Sequence, residues 1–90
     1  MTSVKIPTPL RKFTNNIGDV EIDGDTVKEL IDNLDKKYPG IKQRLCDENG
    51  TIRKYINIYV GDEDIRFLQG EKTKIENNKE VIIVPAIAGG

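Results

Sequence analysis

Ninety residues are enough for one domain that buries roughly 60–68% of its unfolded surface, and too few for two. Fourteen Lys and Arg stand against 15 Asp and Glu, interspersed along the chain, so a net charge of −1 creates no field that would gather nucleic acid or anionic lipid. With no histidine and one cysteine, Cys46, the chain cannot assemble an internal disulfide framework, the usual zinc sites or a Ser/His/Asp or Cys/His catalytic set. These features predict a cytoplasmic, non-enzymatic protein. Neither the N-terminus nor any later run has the apolar length of a signal sequence or membrane span.

In chain order, Ser3 to Ile6 alternates, with Val4 and Ile6 on one face, and predicts a first strand that ends at Pro7-Thr8-Pro9 because proline cannot donate to a ladder. Asn15-Asn16-Ile17-Gly18 has turn chemistry, and Val20 with Ile22 marks a second strand joined to the first as a hairpin. Val27, Leu30, Ile31, Leu34 and Tyr38 then follow the spacing of one helix face. Thr26 and Glu29 match a capping box, Lys36 and Lys37 suit the negative end of the helix dipole, and Pro39-Gly40 stops the helix. Ile41 and Leu45 suggest one further helical turn before the turn cluster Asp47-Glu48-Asn49-Gly50.

Tyr55 to Val60 alternates strictly, with Ile56, Ile58 and Val60 facing the core and Tyr55, Asn57 and Tyr59 facing away. Gly61 to Asp64 reads as a turn, Ile65 to Leu68 as a short edge strand, and Asn77-Asn78-Lys79 as the turn into a last strand, Val81 to Ile87. That last strand is apolar on both faces and so belongs in the middle of its sheet, which makes the two ends of the chain pair. A mixed sheet with one main helix across one face is an α+β, β-grasp layout. The predicted domain spans 1–90, with a flexible Gly-Gly tail over roughly 86–90.

At average glycine usage of about 7%, a chance Gly-Gly in the last two positions is expected in roughly 0.5% of chains. Here Gly89-Gly90 follows directly on an apolar strand, an arrangement suited to a carboxylate handled by another protein. If Val81 and Ile83 face the helix, Ile82 and Val84 lie beside Tyr59 on the opposite face, an apolar patch at the root of the tail that would dock partners. A one-residue slip in register would exchange the two faces. The acidic clusters Asp23/Asp25, Asp47/Glu48 and Asp62/Glu63/Asp64 lack the spacing of a calcium loop and read as solvated turns. Cys46 reads as a small packed side chain, with a persulfide role as the alternative.

The run YINIYVGDEDIRFLQGEKTKIENNKEVIIVPAIAGG over 55–90 resembles the ubiquitin-like sulfur carriers of the MoaD/ThiS group, most closely the CysO-type branch of cysteine biosynthesis. The NIYV, DED and RF elements and the VPA and AGG ending carry the resemblance, which continues more loosely back to Lys5-Ile6-Pro7. Asn77-Asn78-Lys79 departs from the Asp-Gly-Asp turn common in such carriers, and Pro85-Ala86-Ile87-Ala88 from the Pro-Pro ending common in molybdopterin-synthase small subunits. The resemblance implies that an ATP-dependent, E1-like enzyme adenylates Gly90 and that sulfur then replaces AMP to leave a thiocarboxylate. It implies that Ala86, Ile87, Ala88, Gly89 and Gly90 thread into partner active sites. It further implies a pyridoxal-phosphate cysteine synthase as acceptor and a zinc metallopeptidase that releases cysteine, with every cofactor held by partners and none by this chain. The small subunit of molybdopterin synthase and a ubiquitin-like protein modifier are the alternatives.

Overall fold

The alternating segments pair into a five-stranded mixed sheet in the order β2-β1-β5-β3-β4 in the computed structural model, which describes residues 1–76 and 79–86. β1 (Thr2–Lys5) and β2 (Asp19–Ile22) form the expected antiparallel hairpin, with Val4 opposite Val20 and Lys5 opposite Asp19. β5 (Val81–Pro85) lies at the centre, parallel to β1 and antiparallel to β3 (Ile56–Val60). The N-terminal strand and β5 therefore pair, as expected. This is the β-grasp arrangement, and the predicted Asn77-Asn78 turn falls outside the described residues.

α1 (Val27–Lys37) forms where the apolar spacing places it. The Thr26 side chain accepts a hydrogen bond from the Glu29 N–H at 3.2 Å, satisfying one of the donors a helix start leaves free. Val27, Leu30, Ile31 and Leu34 are buried, whereas Tyr38 caps the C-terminus and packs half-buried against the core. Gly40 then turns the chain at φ +102°, where a side chain would be strained and its Cβ would crowd the Phe13 ring at 3.3 Å. α2 (Ile41–Leu45) is the short helical turn expected, started by Asp35 Oδ1, which accepts from the N–H groups of Gly40 and Lys42. Cys46 closes it, buried at 4% exposure, and that burial pushes its thiol pKa up.

One face of the sheet supplies Val4, Val20, Ile22, Ile56, Ile58, Val60, Val81 and Ile83 to a single core shared with α1 and α2. The register is thus the one in which Val81 and Ile83 point toward the helix, not the slipped alternative.

Three local expectations are corrected. The first strand spans Thr2–Lys5, and beyond Pro7 the chain forms a 3₁₀ helix over Thr8–Phe13 that buries Leu10, where only an interruption was read. Proline fixes φ near −65°, which suits the first turn of a helix as well as it breaks a ladder. Gly61 to Asp64 is not wholly a turn, because Glu63–Asp64 forms a two-residue edge strand, β4, against Tyr59 and Val60. Ile65 to Leu68 is no edge strand; Ile65–Phe67 winds into a 3₁₀ turn. Asp64 Oδ1 accepts from the Arg66 N–H at 2.9 Å, offering that backbone a local partner in place of a ladder.

Leu34 is fully buried between helix and sheet. Leu34→Ala should cost about 2–5 kcal/mol, read as a lowered urea midpoint with unchanged slope; a loss close to zero would contradict this core.

Candidate functional site

The end of β5 sets the geometry. Its ladder with β1 stops at Lys5–Ile82, so Ile83, Val84 and Pro85 are paired on the β3 side alone, with Val84 opposite Asn57 and Pro85 opposite Ile56. One more bond, from the Ala86 N–H to the Tyr55 carbonyl at 2.5 Å, carries the pairing past Pro85. Ala86 is exposed; Ile87, Ala88, Gly89 and Gly90, the remaining predicted tail residues, lie outside the described residues.

On the face away from α1, register aligns one row across all five strands: Asp19, Lys5, Ile82, Tyr59 and Asp64. Tyr59, Ile82 and Val84 share this face, as the alternation predicts. Tyr59 and Ile82 are half-buried by neighbours on both sides, whereas Val84, lacking a β1 neighbour, is 41% exposed.

Ion pairs bracket this apolar centre. Lys5 Nζ meets Asp19 Oδ2 at 2.5 Å, and Ser3 donates to Asp19 Oδ1 at 2.7 Å. The Lys5 hydrogen bond, aided by that of Ser3, lowers the Asp19 pKa, while Asp19 raises that of Lys5. On the other side the Arg66 guanidinium donates to both Asp64 oxygens, at 3.3 and 2.9 Å, and also to Asn57 Oδ1. The guanidinium first, and then the Arg66 backbone N–H, holds the Asp64 carboxyl below the usual carboxylate range.

Sequence reading missed the surroundings of this patch. Tyr55 is 51% exposed and pairs through its carbonyl with Ala86, while further along the chain, on the turn after β4, Phe67 is 86% exposed and Leu68 40%, the latter near Val60 and Glu63. Read as an edge strand, that pair would have alternated between core and solvent; Asp64 followed two residues later by Arg66 is the signal for a side-chain-capped turn. The acidic cluster at Asp47 is itself a turn device, its Oδ1 accepting from the N–H groups of Asn49 and Thr51. Among the described residues no helix is long and apolar enough to cross a membrane.

With this geometry in place, the β-grasp class narrows to one lineage. Residues 4–90 match the ThiS family, and the chain belongs to it. Over 90 residues it is 43% identical to the sulfur carrier protein CysO of Mycobacterium tuberculosis, with 98% of this chain and 97% of that protein covered. The crystal structure of that CysO, described as an antigen, superposes with a TM-score of 0.92 at 40% identity, covering 97% of this chain and all of the other. A crystal structure of the Amycolatopsis orientalis BexX/CysO complex contains a chain matched at TM-score 0.93 and 41% identity over 100% of both chains. The solution structure of small archaeal modifier protein 1 from Methanosarcina acetivorans matches at TM-score 0.82 and 27% identity, over 99% and 95%. The chain is CysO-like in sequence and in structure.

The Asp64–Arg66 pair yields a pH signature. A carboxyl whose folded pKa is depressed adds stability above its unfolded value, about 3.9, and that stability is lost as pH falls through the lower folded value. Asp64→Asn, which keeps a cap acceptor but removes the charge, should be less stable than the parent at neutral pH and converge with it in acid. Urea midpoints across pH measure this; a gap independent of pH would contradict it.

Proposed function

We propose that this protein is a sulfur carrier whose Gly90 carboxylate is adenylated by an E1-like enzyme and converted to a thiocarboxylate that donates sulfur for cysteine biosynthesis. The observation that carries this reading is the 43% identity to a sulfur carrier protein over nearly the whole of both chains. The Gly89-Gly90 ending and the central strand that brings the chain to the sheet margin at Ala86 are consistent with it.

The chemistry explains the division of labour. A C-terminal carboxylate, with a pKa of about 3.3–3.7, is an anion at neutral pH and a poor acyl donor. Attack of one carboxylate oxygen on the α-phosphorus of ATP expels pyrophosphate and leaves an acyl-adenylate. Hydrosulfide, or sulfur delivered at that oxidation level, then adds to the acyl carbon and expels AMP, leaving the thiocarboxylate. Glycine at 89 and 90 removes Cβ, so a narrow active site can close on backbone alone. Adenylation, the pyridoxal-phosphate chemistry of the acceptor cysteine synthase and the zinc chemistry of a releasing metallopeptidase belong to partner enzymes. This chain acts as their protein co-substrate in the cytoplasm, and Tyr59, Ile82 and Val84 form the face on which partners dock. The Amycolatopsis orientalis relative crystallises in complex with BexX, which supports a protein partner for a carrier of this kind. The likeness to a small archaeal modifier favours a second reading, in which Gly90 is joined to lysines of target proteins.

Incubation with an E1-like enzyme, ATP and a sulfur donor should replace one terminal oxygen by sulfur in the intact mass, and a variant carrying one residue beyond Gly90 should stay unchanged. Transfer to a pyridoxal-phosphate cysteine synthase charged with an activated serine should then leave cysteine on Gly90. High-mass conjugates in place of thiocarboxylate would favour the modifier reading, and a product only with a molybdopterin precursor would favour a molybdopterin-synthase subunit.

A further inference from the structure

The register of β3 leaves part of one edge open. Bonds from the Ala86 N–H to the Tyr55 carbonyl and from the Gly61 N–H to the Glu80 carbonyl, at 2.5 and 2.8 Å, mark the odd-numbered residues of this stretch as those whose backbone groups point toward β5. Ile56, Ile58 and Val60 therefore point theirs to the other edge. There β4 pairs only with Tyr59 and Val60. The ladder does not run on to Ile58, because the Ile65 carbonyl, next in line, accepts from the Leu68 N–H at 3.0 Å instead. Ile56 commits its own N–H to the Arg53 carbonyl. Among the described residues, no strand faces the Ile56 carbonyl and the Ile58 N–H on this side.

Beside these two groups lies a cavity of about 470 Å³, lined by the side chains of Ile52, Ile56, Ile58 and Ile65. Arg53, Lys54 and Arg66 also line it, against one acidic residue, Glu71. Asp64 neutralises Arg66, whereas Arg53 donates to the uncharged Gln43 carbonyl, and Lys54 is exposed with no ion pair among the described residues. The turn before β3 and the turn after β4 both border the gap, so it admits a short segment and not the margin of a second sheet.

One acceptor and one donor, placed either side of Asn57, complement a single residue of a parallel strand, which donates to the Ile56 carbonyl and accepts from the Ile58 N–H. That residue stands opposite Asn57 on the outer face, and its two neighbours turn inward over the isoleucines. A parallel direction puts the N-terminal flank of the added segment beside Arg53 and Lys54, where carboxylates are favoured. We propose that the open edge of β3 takes up an extended peptide segment of a partner protein. The segment carries two branched aliphatic side chains separated by one residue and preceded by acidic ones. Main-chain bonds would supply affinity and the isoleucine-lined cavity selectivity. This surface lies across β3 from β5 and calls for no activation of Gly90, so it goes beyond the sulfur-carrier reading.

The test uses isotope-labelled full-length protein and the peptide acetyl-Glu-Glu-Ile-Thr-Val-amide, followed by amide NMR. Saturating peptide should shift the Ile58 amide resonance and slow its hydrogen exchange about tenfold or more. N-methylation of the peptide threonine, which deletes the donor to Ile56, should weaken binding about tenfold or more. Lys54→Glu, at an exposed site, should weaken the acidic peptide about threefold or more and favour a version with lysines in place of the glutamates. An Ile58 amide unmoved at about 5 mM peptide would overturn the proposal, since that concentration reveals even millimolar affinity. An N-methylated peptide binding within about twofold of the parent would overturn strand addition. Shifts confined to Tyr59, Ile82 and Val84 would move the peptide to the outer face and overturn the site. Each outcome is read without thiocarboxylate formation and leaves the sulfur-carrier reading to its own test.

Discussion

The fold depends on the pairing of one strand. Val81–Pro85 has no polar face, so it is held by burying Val81 and Ile83 on one surface and by a partner strand along each edge. β1 supplies a parallel edge, β3 an antiparallel one, and the core beneath includes Val4, Ile58, Val81 and Ile83, all at 2% exposure or less. A parallel pair cannot be closed by a hairpin, so the intervening chain must cross over, and α1 lies in that crossover. Pairing β5 with β1 brings Val4 and Lys5 beside Val81 and Ile82, residues far apart in the sequence.

The same pairing explains the outer face. Where β1 and β3 both flank β5, Ile82 is half-covered; where β1 has ended, Val84 is left open. Polar pairs lie to either side, Lys5 with Asp19 and Arg66 with Asp64. The Lys5–Asp19 pair is solvated and contributes little to stability. Together the pairs confine apolar exposure to the centre of the face. The sheet margins are protected differently: β2 carries outward Asp19 and Glu21, and β4 is only two residues long, both features that discourage edge-to-edge association.

Under the proposed function, chemistry and recognition occupy different parts of the molecule. The reacting carbonyl would be carried on two glycines, while specificity would come from side chains set on the strands of the sheet. A carrier built this way can visit enzymes with unrelated active sites, because each needs to accommodate only backbone at the reacting end. It also places the demand for rigidity on the scaffold, where Asp64, Arg66 and Asn57 tie the turn after β4 to the sheet.

The helix was legible because its signals are local: apolar spacing, the Thr26 cap and the Pro39-Gly40 stop all act within a few residues. The central place of β5 was legible too, since a strand apolar on both faces has one stable location. The ending Gly89-Gly90 and the family resemblance are likewise properties of the sequence, and they brought the candidate site into view without coordinates. What the chain does between Gly61 and Lys72 was decided by tertiary structure. There Ile65 is drawn into the core, and Phe67 and Leu68 are left outside, although by composition they belong within. Alternation states which residues share a face, but exposure of Val84 and Phe67 depends on where neighbouring strands stop, and that is a relation between segments far apart in the chain.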